Sequence, residues 1–464
     1  MNFELLRKSA GTTRLILIVA GWASDTASYR HVNMPGWDVA VLWGIDAVVP
    51  DLSCLKQYRT VYLYAWSLGV FVADRLLAGA IDITSAFAIN GTTLPYSDDC
   101  GIPTHIFDGT ARGLTERGLS KFRMRMFDSV ADYKEHASEY GAPSDIGRLR
   151  DELYYVAGEC SRPSAASIDW TSVFIGRNDR IFPVGNQERA WLGKAPVQML
   201  DAPHYIDIQD VVRRTIVNVE RVGHRFSRSM GTYNAHAHAQ RVIAERLADE
   251  FMAGIPNVLD NLVEIGPGTG LLTRCWGASH RVAFATFIDL CDMADYGVAS
   301  SERYFCEDAE VVMARLAATE PGTVDAVVSA SAIQWFSNLD YFFSCCASVL
   351  RHGGRIAMST FAPGNLSELH ALRPDHLRYL PVDVIREILD RYFQDVRVVE
   401  DVVELDFTSP LEALRHLQLT GVTTSGHKSA IGELRRFAEA YPVNSRGRYS
   451  LSFRPIYISA TKKG

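Results

Sequence analysis

The sequence has few of the features that mark membrane, secreted and metal-binding proteins. No apolar run approaches the roughly 18 residues that are needed to span a bilayer. The eight cysteines form no CxxC pair and no Cys/His spacing typical of a metal site. We therefore expect free thiols in a reducing compartment, no metal, no membrane association and a cytoplasmic protein.

An excess of positive charge is also absent. The chain carries 47 Lys+Arg against 54 Asp+Glu, a net charge of −7, which argues against nucleic acid as the main partner. With 464 residues it is too long for one ordinary core, and no Gly/Ser/Pro-rich tether divides it. The patterns described below predict two α/β domains, residues 1–220 and 221–464.

Short apolar segments recur along the first half, as in a mostly parallel α/β sheet. Leu15–Ala20 is apolar throughout, which is typical of a strand that is buried on both faces. Helix is predicted at Leu68–Leu77. Further strands are predicted at Asp38–Leu42, Thr60–Ala65, Ser85–Ile89, Thr104–Phe107, Ser172–Ile175 and Val197–Leu200.

One strand runs directly into a tight turn that carries a serine. Ala65-Trp66-Ser67-Leu68-Gly69 has the form of a nucleophile elbow, G-x-S-x-G, with alanine at the first position. Alone, the pattern is also consistent with a serine that caps a helix. Asp179 and His204 follow later strands in the order Ser, Asp, His, which favours a catalytic triad.

An oxyanion hole requires two backbone N–H donors near the serine. We predict that Leu68 supplies one and Trp22, after the first strand, supplies the other; Trp22 could equally be a packing aromatic. Residues 108–165 are rich in charge and are interpreted as a lid insertion. Its Lys121, Arg123 and Arg125 form either a docking site for an acidic partner or a solvated helix face.

The first half resembles the pimeloyl-acyl carrier protein (ACP) methyl ester esterases of the BioG type over nearly all of residues 1–215. The resemblance is carried by AWSLGV, AINGTTLP, IFDGT, KFRMRMF and IGRNDRIFP. It implies an α/β-hydrolase fold, hydrolysis of a methyl ester on a carrier-bound acyl chain, and docking of the acidic carrier protein on the basic lid residues.

In the second half, a predicted strand leads into a glycine loop. Glu264 precedes Gly266, Gly268 and Gly270, and the strict spacing of dinucleotide sites is absent. Both details favour S-adenosylmethionine (SAM), with Glu264 near its cationic amino-acid end. Asp289, 23 residues beyond the first glycine, is predicted to bind the ribose hydroxyls.

Asp308 follows a third strand and is predicted to bind the adenine amino group, although either aspartate alone could be a turn residue. Tyr233, His236 and Gln240 have the spacing of one helix face. That face is predicted either to close over the cofactor and the substrate or simply to pack at the domain edge. We assign Tyr233 and Gln240 to the cofactor and His236 to the substrate.

From about Val222 onward the chain resembles the malonyl-ACP O-methyltransferases of the BioC type. The resemblance is carried by TYNAHAHAQR, SASAIQWFSNL, FAPGNLSELHAL, RYLPVDVI and LRHLQLTGV, whereas EIGPGTG departs from the commoner glycine loop. It implies a class I SAM-dependent methyltransferase fold. Within SASAIQWFSNL we assign Ser329 to the cofactor and Gln334 and Trp335 to the substrate.

Together these patterns predict a bifunctional enzyme of biotin synthesis that methylates malonyl-ACP and hydrolyses the methyl ester of pimeloyl-ACP. A carboxyl methyltransferase joined to an esterase, both acting on free small molecules, is the first alternative. A scaffold without catalytic activity is the second. The sequence leaves the oligomeric state open.

Overall fold

The computed structural model describes residues 1–136, 145–162, 167–293, 295–369, 377, 379–420 and 431–464. The chain divides into two compact units, Met1–Ile216 and Val217–Gly464. In the described part of the chain, no helix is long and apolar enough to cross a membrane. All eight cysteines are free thiols.

The first unit is built on a seven-stranded sheet in its described residues, in the order β1-β3-β2-β4-β5-β6-β7. Strands β2 to β7 run parallel, and β1, which the sequence pattern did not predict, pairs antiparallel with β3. The strands are β1 Asn2–Arg7, β2 Arg14–Val19, β3 Asp38–Trp43, β4 Thr60–Trp66, β5 Ser85–Ile89, β6 Ser172–Gly176 and β7 Val197–Leu200.

Helices pack around this sheet and cover its apolar strands. Strands β2, β4, β5 and β6 are buried at every position, which explains why apolar residues make up most of each strand. The helices are α1 Leu68–Leu76, α2 Thr104–Arg112, α3 Glu116–Arg125, α4 Val130–His136, α5 Ile146–Cys160, α6 Val184–Trp191 and α7 Ile208–Thr215.

The prediction of a strand at Thr104–Phe107 was wrong, because these residues begin helix α2. Pro103 stands immediately before the helix, and the buried Phe107 and Ala111 lie four residues apart on its inner face. The predicted lid insertion is likewise helical, with α3 to α5 inside it. Residues 137–144 and 163–165 of this insertion lie outside the described residues.

The second unit contains a sheet in the order β10-β9-β8-β11-β12-β16-β13, seven strands in the described chain, and a two-stranded sheet of β14 and β15. Strands β10, β9, β8, β11 and β12 run parallel, and β16 is antiparallel to both neighbours. The strands are β8 Val258–Ile265, β9 Arg281–Asp289, β10 Ala299–Cys306, β11 Val324–Ser329, β12 Leu350–Phe361, β13 Phe393–Glu400, β14 Val403–Phe407, β15 Tyr449–Phe453 and β16 Pro455–Lys462.

Helices cover this larger sheet on both faces, so that two apolar clusters form. One cluster includes Trp276 and Phe287, and the other includes Phe342 and Phe343. The helices are α8 Val219–His236, α9 His238–Arg246, α10 Leu271–Ser279, α11 Ala309–Thr319, α12 Leu339–Val349, α13 Val382–Tyr392, α14 Pro410–Leu419 and α15 Ile431–Ala440.

Two features near the ends of this unit differ from the sequence expectation. Helix α8 is continuous from Val219 to His236, so the predicted boundary between residues 220 and 221 falls inside it. Near the C-terminus, the sequence Arg448–Thr461 predicts two paired strands around Arg454, and β15 and β16 do flank Arg454 but do not pair with each other. Strand β15 pairs with β14, and β16 inserts between β12 and β13.

Of the family motifs, a few residues lie outside the described chain. They are 370–372 of FAPGNLSELHAL, 378 of RYLPVDVI, and 421 and 422 of LRHLQLTGV.

Candidate active sites

The serine turn between β4 and α1 is strained and tightly packed. Ser67 adopts φ +58° and ψ −125°, a conformation that L-residues rarely occupy and that is common at active sites. Its N–H donates to Ile89 O at 2.9 Å. A Cβ on Gly69 would lie 2.3 Å from Val19 O, so only glycine lets α1 pass so close to β2.

The structure brings Ser67, His204 and Asp179 into one hydrogen-bonded chain. His204 Nε2 lies 3.0 Å from Ser67 Oγ, and His204 Nδ1 lies 3.0 Å from each carboxylate oxygen of Asp179. The three residues are buried, with relative exposures of 5%, 0% and 8% in the same order. When Nδ1–H donates to the Asp179 carboxylate, Nε2 carries no hydrogen and is able to accept the proton of the serine hydroxyl.

The Asp179 carboxylate is held by several further donors. Its Oδ1 accepts from the backbone N–H groups of Ile181 and Phe182 at 2.8 and 3.0 Å, and its Oδ2 accepts from Gln187 Nε2 at 2.9 Å. Gln187 is fully buried on α6 and also donates to Phe182 O. These bonds fix the carboxylate that orients the imidazole.

Asn90 was not predicted from the sequence, yet it connects the segment that carries His204 with the end of β6, which precedes Asp179. Its Nδ2 donates to the backbone oxygens of Pro203 and His204 at 2.9 and 2.8 Å, and its Oδ1 accepts from Gly176 N at 2.7 Å. Asn90 is fully buried and has φ +44°. The asparagine of the AINGTTLP motif immediately after β5 was the available signal, because asparagine tolerates positive φ and can bond backbone groups.

The loop after β2 lies beside the serine. A Cβ on Gly21 would stand 3.1 Å from Ser67 Cβ, which places the following Trp22 next to the elbow. The Trp22 side chain is also a packing group: its indole N–H donates to Leu149 O at 2.9 Å, and its ring meets Phe122 edge-on. Leu68 begins α1, so its N–H is one of the helix's first donors.

The three basic residues of α3 do not share one face. Lys121 and Arg125 are exposed, whereas Arg123 is half-buried and donates through Nη2 to Ala23 O at 3.1 Å. Because residues two positions apart lie on opposite sides of a helix, Arg123 points toward the loop that carries Trp22. The prediction of one basic docking surface from all three residues is therefore reduced to Lys121 and Arg125.

In the second unit, the glycine loop opens a pocket with about 1070 Å³ of space, part of it open to solvent. Gly266, Gly268 and Gly270 all have positive φ, and Gly270 N bonds Pro267 O at 2.8 Å to close the turn before α10. A Cβ on Gly268 would meet nothing within 4 Å, so the loop backbone faces open space there. Gly270 completes the turn and, unlike the other two glycines, is not among the described pocket-lining residues.

Carboxylates line one side of this pocket, which suits a cationic ligand. Glu264 is 1% exposed, and its Oε2 accepts from Thr273 and Trp276 at 2.9 and 2.7 Å. Burial raises its pKa to about 7. Asp289 accepts from Gly268 N at 2.9 Å, and burial also raises its pKa. The arrangement fits SAM, whose ammonium and sulfonium groups are positive.

Of two further residues predicted to bind the cofactor, Asp308 lines the pocket and Ser329 is not among the described lining residues. Asp308 lines the pocket and also caps α11, where its Oδ1 accepts from Glu310 N at 2.9 Å. Ser329 is fully buried and donates to Ile265 O at 2.9 Å, so it joins β11 to β8 rather than lining the described pocket.

Tyr233, His236 and Gln240 do not lie on one helix face, because the helix breaks between them. Ala237 has ψ +51°, which ends α8 before α9 begins. Tyr233 and Gln240 line the pocket, and Gln240 Oε1 has no partner in the described chain. His236 is not among the described lining residues and lies near His416, whose pKa is lowered to about 4, mainly by burial.

Gln334 and Trp335 lie in a short 3-10 helix after β11. Trp335 lines the pocket with its ring edge-on to Phe226. Gln334 donates to Ser331 O at 2.6 Å and is not among the described lining residues. Ser331, which sequence reasoning did not select, lines the pocket with φ +55°.

Comparison with known proteins assigns each unit to a family. Residues 4–212 match the family described as "Pimeloyl-ACP methyl esterase BioG". Residues 263–358 match the family described as "Methyltransferase domain". The first unit is thus a BioG domain. The second is a SAM-dependent methyltransferase domain of the class I fold.

Relatives in several bacteria resemble this chain. A malonyl-[acyl-carrier protein] O-methyltransferase of Bacteroides fragilis is 30% identical over 99% of this chain and 94% of its own length. The protein of the same name from Porphyromonas gingivalis is 31% identical over 53% of this chain and 96% of its own. A crystal structure of BioG from Haemophilus influenzae is 30% identical, with a TM-score of 0.42, over 45% of this chain and 96% of that chain.

Proposed function

The chain belongs to the malonyl-[acyl-carrier protein] O-methyltransferase family, and on that basis we propose that it performs two opposed reactions of biotin synthesis. Its second unit methylates the free carboxylate of malonyl-ACP. Its first unit hydrolyses the methyl ester of pimeloyl-ACP. The observation that carries this proposal is the Ser67–His204–Asp179 chain of 3.0 Å contacts inside a BioG domain, on the same polypeptide as the methyltransferase.

The geometry of the first unit supports an esterase reaction, and we assign to this unit an α/β-hydrolase fold with α3 to α5 as its lid. Ser67 Oγ attacks the ester carbonyl while His204 Nε2 takes its proton, and the backbone N–H groups of Leu68 and Trp22 stabilise the oxyanion. His204 then donates this proton to the methoxide oxygen as the ester bond breaks, so that methanol leaves and the acyl chain stays bound to Ser67 Oγ. Water, activated by the same imidazole, releases the acid and restores Ser67.

The methyltransferase reaction needs no general base, because a carboxylic acid with a pKa near 4 is already ionised at neutral pH. SAM supplies an electrophilic methyl group when bound. Glu264, Gly266, Gly268 and Asp289 would hold the cofactor, with Glu264 facing its amino group. The protein's contribution is then to position the carboxylate and to exclude water from it.

The substrates of both reactions are acyl chains bound to acyl carrier protein, and we assign docking of this carrier on the esterase unit to Lys121 and Arg125. Acyl carrier proteins are acidic, so exposed cations on the lid provide complementary charge. Methylation removes a negative charge that an elongation enzyme would otherwise bury at high cost. For the same reason the esterase must spare the short methyl ester, and we expect it to prefer the pimeloyl chain.

A paired assay tests this function. Purified protein is incubated with methyl-labelled SAM and malonyl-ACP, and separately with pimeloyl-ACP methyl ester. We expect labelled ester in the first assay and free acid in the second. Ser67→Ala should abolish hydrolysis while leaving methyl transfer unchanged.

The same assays separate the proposal from its alternatives. Turnover of free malonate as fast as malonyl-ACP would favour a small-molecule enzyme. Absence of both reactions, together with failure of a fluorophosphonate to label Ser67, would favour a scaffold. Hydrolysis of malonyl and pimeloyl methyl esters at similar rates would contradict the expected chain-length preference.

A further inference from the structure

The methyltransferase pocket has two chemically different sides. Glu264 ends β8 and Asp289 ends β9, and both line the pocket. Ser331 and Trp335 follow β11, which lies on the other side of β8 from β9 and β10. Parallel strands present their carboxyl ends at one edge of a sheet, so the pocket runs along that edge from an acidic side to the Ser331–Trp335 loop.

Two residues of this loop that line the pocket, Ser331 and Trp335, each carry a polar side-chain atom without a hydrogen-bond partner in the described chain. Trp335 Nε1 and Ser331 Oγ are inaccessible to solvent and have no hydrogen-bond partner in the described chain. Trp335 as a whole is only 8% exposed. Buried polar groups in native proteins are nearly always paired, so two unpaired atoms on residues that line one pocket favour a ligand as their partner.

The chemistry of these atoms restricts what that ligand group is. An indole N–H donates only, and therefore requires an acceptor. A hydroxyl can donate to the same group. A carboxylate offers two acceptor oxygens, and hydrogen bonds to a charged acceptor are stronger than those between neutral groups. Among the lining residues that the structure describes, no Lys, Arg or His competes for that role.

The residues around the loop favour the binding of a carboxylate that stays reactive as a nucleophile. Phe226, Met230 and Phe336 line the pocket, and the Phe226 ring stands edge-on to Trp335 at 6.0 Å. In such apolar surroundings a hydrogen bond to the indole gains strength because little water competes for it. A neutral donor also leaves the carboxylate with its full negative charge, whereas a guanidinium would neutralise much of the charge that makes the oxygen nucleophilic.

We propose that Trp335 Nε1–H and Ser331 Oγ–H bind the free carboxylate of the acyl substrate and determine specificity for an acid at the chain end. The inference rests on the proposed methyltransferase function and adds the group that selects its substrate. Neither donor gives up its proton. After methylation the ester oxygens are weaker acceptors, so these contacts favour release of the product.

Binding measurements test this assignment separately from catalysis. Fluorescently labelled malonyl-ACP and acetyl-ACP, which lacks the carboxylate, are titrated with full-length protein in the presence of S-adenosylhomocysteine. Wild type should bind malonyl-ACP at least tenfold more tightly than acetyl-ACP. Trp335→Phe keeps the aromatic contact with Phe226 but removes the donor, and should lose most of this discrimination. Ser331→Ala should lose part of it.

A matched control is Thr461→Val, which removes another buried hydroxyl without a partner in the described chain, here in β16 and outside the described pocket lining. It should bind both carrier proteins as wild type does. Ser331→Ala, with its small change in volume, keeps the inference testable if Trp335→Phe fails to fold.

Two results would overturn the inference. One is undiminished discrimination in both pocket variants with unchanged S-adenosylhomocysteine binding, because the two donors would then bind neither ligand. The other is undiminished discrimination with weaker S-adenosylhomocysteine binding, measured by calorimetry, because the donors would then bind the carboxylate of the cofactor. Labelled methyl transfer by wild type is measured in parallel. A wild type that transfers no methyl to malonyl-ACP refutes the proposed function, whereas normal transfer with undiminished discrimination in the variants refutes the inference alone.

Discussion

The two candidate sites differ in how many of their hydrogen bonds the chain makes for itself. Around Ser67, the imidazole of His204 is bonded at both nitrogens and the carboxylate of Asp179 at both oxygens. In the methyltransferase pocket, polar atoms of Gln240, Ser331 and Trp335 have no partner in the described chain.

The difference follows from the chemistry proposed for each site. A triad moves a proton between its own groups, so their relative positions must be set before the substrate arrives. A pocket that only positions two bound molecules can leave its polar atoms for those molecules. Internal hydrogen bonding therefore distinguishes a site whose own side chains react from a site whose side chains bind two reacting molecules. Five predictions test this contrast.

The largest effect is expected at Asp179. Asp179→Asn presents an amide to His204 Nδ1 and favours the wrong imidazole tautomer, so kcat for hydrolysis of pimeloyl-ACP methyl ester should fall about 10⁴-fold. Asp210→Asn, which changes an exposed carboxylate on α7, is the control and should be neutral. A tenfold loss or less in Asp179→Asn would show that the closed network is not used for proton transfer.

A smaller loss is expected when the triad is intact but its support is removed. Asn90→Gly retains the positive φ and deletes the three side-chain bonds that tie the His204 loop to β6. Displacement of the imidazole should lower kcat about 100-fold with little change in KM. Methyl transfer by the same protein is the internal control. A change in KM alone would mean that Asn90 shapes the acyl pocket instead.

The third prediction uses the pKa of Glu264, which burial raises to about 7. Below that pH the carboxyl is protonated and cannot attract a cation, so affinity for S-adenosylmethionine should rise severalfold between pH 6 and pH 8 in calorimetric titrations. Glu264→Gln should bind more weakly, with a flatter pH dependence. A wild-type affinity that does not vary over this range would contradict the assignment of Glu264.

The same shift also has a consequence for the stability of the unliganded protein. The pKa in the folded state lies above the ordinary value of 4.5, so the folded state binds the extra proton between pH 4.5 and about 7. The free energy of unfolding therefore falls as pH rises through that window, by roughly 3 kcal/mol in total for this group. Chemical denaturation of wild type and Glu264→Gln over the window measures this difference.

The smallest effect is expected at the lid surface. Lys121→Glu and Arg125→Glu should each raise KM for pimeloyl-ACP methyl ester a few-fold at low salt, and the effect should shrink as salt screens the charges. Arg123→Ala should instead lower kcat, because Arg123 bonds Ala23 O beside the serine. Equal effects of all three substitutions on KM would restore the single docking surface predicted from sequence.

The local sequence pattern was sufficient to predict the location of a residue when that location depends only on the strand and turn to which the residue belongs. Ser67, Asp179 and His204 follow parallel strands, whose carboxyl ends meet at one sheet edge, and the structure brings the three together. Their catalytic roles remain predictions. Pattern was insufficient for Thr104–Phe107, where a short β-like run is helical because a proline and the i, i+4 apolar pair Phe107 and Ala111 favour α2.

The strand–turn–helix units and the residue types that end their strands can be predicted from the sequence, because these depend on neighbours along the chain. Which side chains find hydrogen-bond partners depends on the folded chain. In the folded chain Arg123 donates to Ala23 O, and Ser329 donates to Ile265 O within the sheet. The fold also leaves Ser331 Oγ and Trp335 Nε1, on two residues that line the pocket, without a partner in the described chain. Hydrogen-bond satisfaction is settled by residues that are distant in sequence, and a linear pattern does not contain it.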